Sequence, residues 1–589
     1  MSKATQFTQS RRDFMRMAGI AAGFSVISVA GARAAGASEA ADSGDSSTGA
    51  LGSQITSVDD VSWDEQCDVL IVGAGIAGLS AAVTLTREAP DKKVILVEKG
   101  STGSGCSPVA SGDFLFGTAD EPYPLQYLKD MATTPTGQTI PDDVLQAFVD
   151  GIDENLPWLL STGLSIDELT LRYPYEERAK AEYREFDSWA SPEGTLAKDN
   201  EFPRSHLYSY LNSLITDDET YAQVDYRTDC ALTSLIVDQA TRGVVGGVAG
   251  GSKIRATDGV IMCCGGYEHS AEFLEGFCGV GNAMSFALMG NTGDGHIMVA
   301  GAGADFWHMH NAAGFWMHPR DLADAQFATG PLSAHKLKKF GITVGANGRR
   351  FYMDWDGHKS LDTADDAISE DLSLHVGSRH GVMQFGGEWN HLPMPSTGWF
   401  VFDSNNLENA FDADYTSSTD PVADGWLLVS DTIEGLADQM GVPAGQLANT
   451  VDQWNEFCEE GEDRAFYRPA DTLTPVKTAP FYAQRCRPAL LNTDGGPKRS
   501  AKGEVLGVDG SPIPGLYAAG EFGSVWGYLY NGNGNIGEAM AFGRIAARNA
   551  VGLDQVPADG TYEEVFTPED KTREAVEAAA AASSIKDAK

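Results

Sequence analysis

Between Asp68 and Glu98 the chain alternates apolar and small-residue blocks that read as strand, turn, helix, loop and strand. Val69, Leu70, Ile71 and Val72 form a short apolar run, the pattern of a parallel strand buried on both faces. Gly73, Gly75 and Gly78 follow in G-x-G-x-x-G spacing. The first suits a tight turn, the second a close backbone approach to a pyrophosphate, the third close packing of helix on strand. The helix N-terminus would offer free N–H groups and partial positive charge to that pyrophosphate. Val94 to Val97 is the second strand, and Glu98, 20 positions after Gly78, can accept from ribose hydroxyls. Together these predict a dinucleotide site.

The same patterning continues along the chain. Leu145, Phe148, Ile152 and Leu156 share one helical face within 140–220. Ala231–Val237 and Val244–Val248, separated by a turn with Gly243, predict a small antiparallel insertion. Gly259–Gly266 reads as a core strand ending in a glycine turn, and Asn291–His296 opens a helix over Ile297–Gly301. Asp294 there suits either a cap or an acceptor for a ligand hydroxyl. Pro514–Glu521 is a strand ending on an acid, before a helix over Ile536–Val551. From about 305 the composition shifts: Trp307, His308, His310, Phe315, Trp316 and His318 crowd together. This predicts a separate cap domain.

Charge and cysteine content narrow the classes. The formal net charge is -41, a surface that repels nucleic acid and anionic lipid. No apolar stretch is long enough for a spanning helix, so no integral membrane segment is expected. The eight cysteines form no C-x-x-C or C-x-x-C-H, which argues against haem c, an iron–sulfur run or a zinc knuckle, and no metal is expected. Cys263 and Cys264 read as buried small hydrophobes. Residues 1–34 read as a targeting segment: Arg11-Arg12-Asp13-Phe14-Met15 precedes an apolar stretch and Ala32-Arg33-Ala34. This resembles a twin-arginine signal and implies export to the periplasm or cell-envelope face. Residues 35–60, rich in Ser, Gly, Ala and Asp, read as a flexible linker, and 557–589 as a C-terminal tail.

The stretches VGAGIAGLSAA…VEK, TGDG, NTDGG and PIPGLYAAGE…GNIGEAMAFGRIA, in this order over nearly all of 66–552, resemble the flavoprotein superfamily of fumarate reductase, urocanate reductase and 3-ketosteroid dehydrogenase. The resemblance implies an α/β fold. A Rossmann-like FAD-binding domain (61–308 and 492–556) would carry an inserted α+β cap (309–491) that closes on substrate. It implies noncovalent FAD. Gly73, Gly75, Ile76, Ala77, Gly78, Glu98 and Lys99 would hold the ADP half, and Ser104, Ser107 and Gly112 would line the pyrophosphate and flavin. Ala231 would touch adenine, Asp294 would lie near the flavin, and Glu521 would bind the ribityl chain. Asn535 and Ile536 would face the pyrimidine edge.

The departures from that pattern carry information about substrate. Fumarate reductases place a proton-donating Arg seven residues after the Phe of G-K-R-F; here Phe351 leads to His358. Their C-terminal carboxylate-binding Arg has no counterpart in Trp526–Asn535, and H-T-M-G-G becomes Asn492-Thr493-Asp494-Gly495-Gly496. Tyr530-Asn531-Gly532-Asn533-Gly534 instead resembles the Y-x-G-x-G element of 3-ketosteroid dehydrogenases. There the Tyr hydroxyl and the last Gly N–H polarise a carbonyl. His310 aligns loosely with a substrate-binding His of fumarate reductases. The expected function is reduction of an activated C=C bond in an enone, enoate or vinyl phenol. His358 would give the proton, and Tyr530 and Gly534 would stabilise the enolate. With no haem motif, electrons would come from a separate cytochrome or quinol-linked donor. The alternatives are steroid-type dehydrogenation, a fumarate-reductase-like respiratory role, or a carrier flavoprotein without substrate chemistry.

Overall fold

In the computed structural model the described residues are 51–110, 112, 114–116, 125–134, 137–165, 169–172, 189–192, 205–217, 221, 223–280, 283–317, 340–351, 354, 397–407, 422–423, 425, 427–468, 470–528, 530 and 534–553. The expected signal at 1–34, the tail at 557–589 and His358 lie outside them.

The N-terminal part contributes β1 (Gly52–Thr56), β2 (Glu65–Val72), α1 (Ile76–Glu88), β3 (Val94–Val97), α2 (Asp142–Ser161), α3 (His206–Thr216), β4 (Val224–Arg227), β5 (Leu232–Asp238), β6 (Val244–Ala249), β7 (Ser252–Met262) and α4 (Asp294–Ala302). A middle region follows with β8 (Ala312–Met317), β9 (Ile342–Gly345), β10 (Gly398–Asp403), β11 (Leu427–Ser430), α5 (Ile433–Met440), α6 (Ala444–Glu460) and β12 (Phe481–Thr493). The chain then returns through β13 (Glu504–Leu506), β14 (Pro512–Ala518) and α7 (Gly534–Ala550).

Among the described residues, nine strands make the first sheet, in the order β1-β5-β6-β7-β2-β3-β4, with β14 on β7 and β13 on β14. The centre is parallel: β2 pairs with β3 and β7, and β7 with β14. Val69–Val72 and Val94–Val97 are buried on both faces, as their unbroken apolar runs require. Val260 of β7 pairs with Leu516 of β14, so sheet continuity brings residues 256 positions apart in sequence into one layer. The β5–β6 pair is antiparallel, as the Gly243 turn implied. The helical reading over 140–220 resolves into α2 and α3, with Leu169–Arg172 and Trp189–Pro192 as strands between.

One expectation is overturned. The linker assigned to 35–60 does not extend through 52–56: β1 pairs parallel with β5, Gly52 opposite Ser234 through Thr56 opposite Asp238. Its Ser and Gly content looked like linker, but a short edge strand needs few large side chains once another strand supplies the ladder.

In the second sheet β12 is the spine. It pairs with β8, β10, β11 and the short strand Met284–Ser285, while β9 pairs with β10. α5 and α6 cover it through Leu436, Leu447, Val451 and Trp454. A buried ion cluster pins this layer. Arg350 bonds Asp463 and Asp354, and Arg468 also bonds Asp354. Asp354 is spent on these two guanidinium groups and on the Thr343 N–H.

Candidate active site

The site forms where β2, β3, β7 and β14 end together. At the turn after β2, Gly73 has φ +99, and an added Cβ would lie 2.3 Å from the Cys263 carbonyl oxygen. At Gly78 a Cβ would stand 1.9 Å from the Gly73 oxygen, so only glycine lets α1 lie this close to the strand. Gly75 caps α1, and Ile76 N–H donates to Ser107 Oγ at 3.0 Å.

Glu98 ends β3 and is buried. Its Oε2 accepts from Ala74 N (3.0 Å), and its Oε1 accepts from Gly100 N (2.9 Å) and Ser104 Oγ (2.6 Å). Lys99 Nζ bonds Thr292 Oγ1 at 2.7 Å and pairs with Asp294 Oδ2 at 2.8 Å. Asp294 is the first residue of α4, and its Oδ1 accepts from Thr292 Oγ1 at 2.9 Å while its Oδ2 pairs with Lys99.

Glu521 follows β14. Its Oε1 accepts from Thr493 N at 3.1 Å and its Oε2 from Asn291 Nδ2 at 3.2 Å. Thr493 N also donates to Glu268 Oε1 at 2.6 Å, so the two carboxyl groups meet at one amide. Burial and then the neighbouring Glu268 push Glu521 well above the usual carboxylate range. Cys106 Sγ and oxygens of these two acids lie within 4.8 Å of one another. Glu268 Oε2 is buried without a protein partner.

The third wall is the start of α7. A Cβ on Gly534 would stand 1.8 Å from the Trp526 ring, so the helix begins flush against that indole. Tyr530 packs edge-on to Trp526 at 5.6 Å, and the Asn535 backbone N–H donates to its hydroxyl. Burial and then Asp494 push the Tyr530 hydroxyl upward, so it stays protonated and able to donate. Behind it, Asp494 is fully buried and accepts from Asn492 Nδ2 at 2.6 Å and Asn311 Nδ2 at 3.3 Å. Burial pushes Asp494 well above the carboxylate range, against the pull of the Asn535 and Asn492 amides.

These walls enclose a cavity of about 370 Å³. Of the sequence-predicted residues, Gly73, Gly75, Ile76, Ala77, Glu98, Lys99, Ser104, Ser107, Asp294, Glu521, Tyr530, Asn535 and Ile536 line it. Gly78 and Gly534 act one layer behind, through packing. Gly112 faces Ser205 and Leu207 instead, and Ala231 accepts from Gly250 N while its neighbours Cys230 and Leu232 line the cavity. His310 is half-buried two residues beyond His308 and is not among the lining residues. The sequence reading missed Cys106, Asn291 and Asn492 on the wall and Glu268 behind it. Cys263 is buried in the core as expected and Cys264 is half-buried against it, and both also line the cavity. Single asparagines carry no pattern, and only the fold brings 106, 268, 291, 492 and 521 together.

The chain is similar to known proteins. The FAD binding domain family matches residues 68–536. Digoxin reductase of Eggerthella lenta is 25% identical over 538 residues, covering 84% of this chain and 89% of that protein. Vinyl phenol reductase of Lactiplantibacillus plantarum is 23% identical over 503 residues, covering 82% and 96%. A 3-oxosteroid 1-dehydrogenase of Mycolicibacterium smegmatis is 28% identical over 320 residues, and there the match spans about half of each chain, 50% and 52%. The solved 3-ketosteroid delta1-dehydrogenase of Sterolibacterium denitrificans has the same fold, with TM-score 0.62 and 21% identity over 83% of this chain and 100% of that one.

The residues present fit FAD. Two helix N-termini, those of α1 and α7, open on one cavity, as an anionic pyrophosphate and an electron-rich ring edge require. The glycine turn and Glu98 at the first end would hold the ADP half, and Glu521 in the middle would meet ribityl hydroxyls, with the Glu268 oxygen that has no partner among the described residues behind it. With that turn, those two helix ends and the matched span 68–536, the chain belongs to the FAD binding domain family and takes FAD as its cofactor.

Proposed function

We propose that the protein is an exported FAD-dependent oxidoreductase that reduces an activated C=C bond in a neutral substrate, an enone or a vinyl phenol. The observation that carries this reading is Tyr530. Its buried hydroxyl lies on the cavity wall and is held by the Asn535 N–H at the positive end of α7.

When bound, FAD supplies hydride chemistry at the alkene. The chain's residues do the rest. Tyr530 donates a hydrogen bond to the carbonyl oxygen of an enone, where negative charge gathers as the alkene is reduced, or to the oxygen of a phenol, which it positions. The N-terminus of α7 adds its partial positive charge at the same place. Lys99 is engaged by Asp294 and Thr292, so its charge is already spoken for when a ligand arrives. The charged lining residues among those described are Glu98, Lys99 and Asp294, with Glu521 held neutral by its burial, a set that disfavours a second anion beside the pyrophosphate. A proton must reach the alkene carbon, and His358 is the proposed donor on the strength of its position after Phe351. The middle region serves as the cap over the substrate, and a separate cytochrome or quinol-linked protein serves as electron donor.

The relatives named for digoxin and vinyl phenol support a neutral substrate. The steroid dehydrogenase relatives support a second reading, the oxidative direction on a ketosteroid. Viologen-driven reduction under argon, screened over enones, enoates and vinyl phenols, separates them. Reduction of a neutral alkene supports the proposal, whereas activity only as a ketosteroid dehydrogenase sinks it. Export rests on Arg11 and Arg12, and fractionation of the Arg11→Lys/Arg12→Lys double variant tests it: a variant still exported removes that part.

A further inference from the structure

We propose that Asp494 is the positioning residue that makes the Tyr530 end of the cavity select a substrate hydroxyl over a carboxylate. This rests on the reading of the cavity as a reductase site for neutral alkenes and names the device behind it.

Asp494 sits at the centre of a cage of amides. Asn492 Nδ2 donates to its Oδ1 at 2.6 Å, Asn311 Nδ2 to its Oδ2 at 3.3 Å, and the Asn535 side chain bonds it as well. The main chain cannot move away. Asp494 N donates to Asn311 O at 3.1 Å, and Asp494 O accepts from Ser524 N at 3.0 Å and contacts His308 Nε2 at 3.1 Å. Asn492 and Asn535 both line the cavity beside Tyr530.

A primary amide has one donor end and one acceptor end. Where the carboxyl group takes the NH₂ of Asn492, the end left for a ligand is the carbonyl oxygen. The second cavity amide is spent likewise: the Asn535 side chain is bound to Asp494, its Oδ1 lies 3.5 Å from Ser524 Oγ, and its backbone N–H goes to Tyr530. A ligand here meets a carbonyl acceptor from Asn492 and a hydroxyl donor from Tyr530. A phenol or alcohol satisfies both. A carboxylate can take the Tyr530 hydrogen, but it places an anion against a carbonyl oxygen with a buried carboxyl group behind. Leaving buried polar groups mismatched in this way is costly.

The test uses FAD-loaded, oxidised full-length protein and two probes of one shape, 4-vinylphenol and 4-vinylbenzoate, titrated by the perturbation of the flavin spectrum. Wild type should bind the phenol at least about tenfold more tightly. In Asp494→Asn the new amide offers its own NH₂ to the Asn492 carbonyl and frees the Asn492 NH₂ to face the ligand. The phenol-to-benzoate preference should then fall by about tenfold, with FAD content unchanged. Asn492→Ala removes the acceptor while keeping the Asp494 side chain and its Asn311 bond, and it should lower the preference too, which keeps the test alive if Asp494→Asn does not fold. Variants that keep the wild-type preference overturn the role of Asp494 alone. A wild-type preference for vinylbenzoate overturns this inference and the neutral-substrate reading together.

Discussion

Ser104 Oγ donates to Glu98 Oε1 at 2.6 Å, and this bond ties the end of β3 to the small-residue loop that follows it. The same carboxylate accepts the Ala74 N–H in the glycine turn. Glu98 therefore holds two walls of the cavity in register before any ribose reaches it. Glu98→Ala should release both walls. Hydrogen bonds to a charged group contribute roughly 1.5–3 kcal/mol each, so FAD affinity should fall by at least about tenfold. Fluorescence titration of apoprotein with FAD reads this; an unchanged affinity would show that the carboxylate is not engaged.

Gly78 and Gly445 make a matched pair for testing the close approach. A Cβ at Gly78 meets backbone at 1.9 Å, whereas one at Gly445 in α6 meets nothing within 4 Å. Gly78→Ala should cost roughly 1–3 kcal/mol or more and reduce FAD occupancy, because the clash is with main chain that cannot rotate away. Gly445→Ala should be neutral or slightly stabilising. Urea unfolding of both variants checks the contrast, and equal midpoints would contradict it.

Much of the fold was legible because buried parallel strands write themselves as unbroken apolar runs. β2, β3 and β7 each carry such a run, and glycines mark their ends. The ADP half of the site follows directly from that local grammar. The catalytic half does not. Asn492 and Asn535 share a cavity wall and a partner in Asp494 only because the fold brings β12 and α7 to the same place, and neither asparagine stands out in its own stretch. β1 was missed for the opposite reason: its ladder partner is 182 residues away, and its own side chains resemble linker.

His308 sets a pH dependence. It is half-buried, its Nε2 lies within bonding distance of the Ser524 and Asp494 carbonyls, and desolvation lowers its pKa from 6.5 to about 3. The unfolded chain binds a proton near pH 6.5 that the folded chain refuses until about pH 3. Stability from this group is thus complete above pH 6.5 and is lost progressively as pH falls toward 3. His308→Gln, which cannot titrate, should unfold with a shallower loss between pH 6.5 and pH 4.5 (a window chosen inside that range). Chemical denaturation at the two pH values measures it, and parallel losses in both proteins would contradict it.

His358→Phe tests the proposed proton donor. The variant should keep FAD and its fold while turnover drops by about a hundred- to ten-thousand-fold, the usual contribution of general acid catalysis. Reduction of the flavin by an artificial donor should survive, since it needs no proton at the substrate. Reoxidation by alkene within a few-fold of wild type would move the role to Tyr530.

The proposal as a whole turns on which alkene takes electrons from the reduced protein. Reduce the FAD-loaded wild type anaerobically, mix it in a stopped-flow instrument with 4-vinylphenol, a cyclic enone, acrylate or fumarate, and follow flavin reoxidation. The expected result is reoxidation by a neutral alkene at least about tenfold faster than by either carboxylate, as a site with an acceptor carbonyl, a Tyr530 donor and buried acids requires. Faster reoxidation by fumarate or acrylate would contradict it.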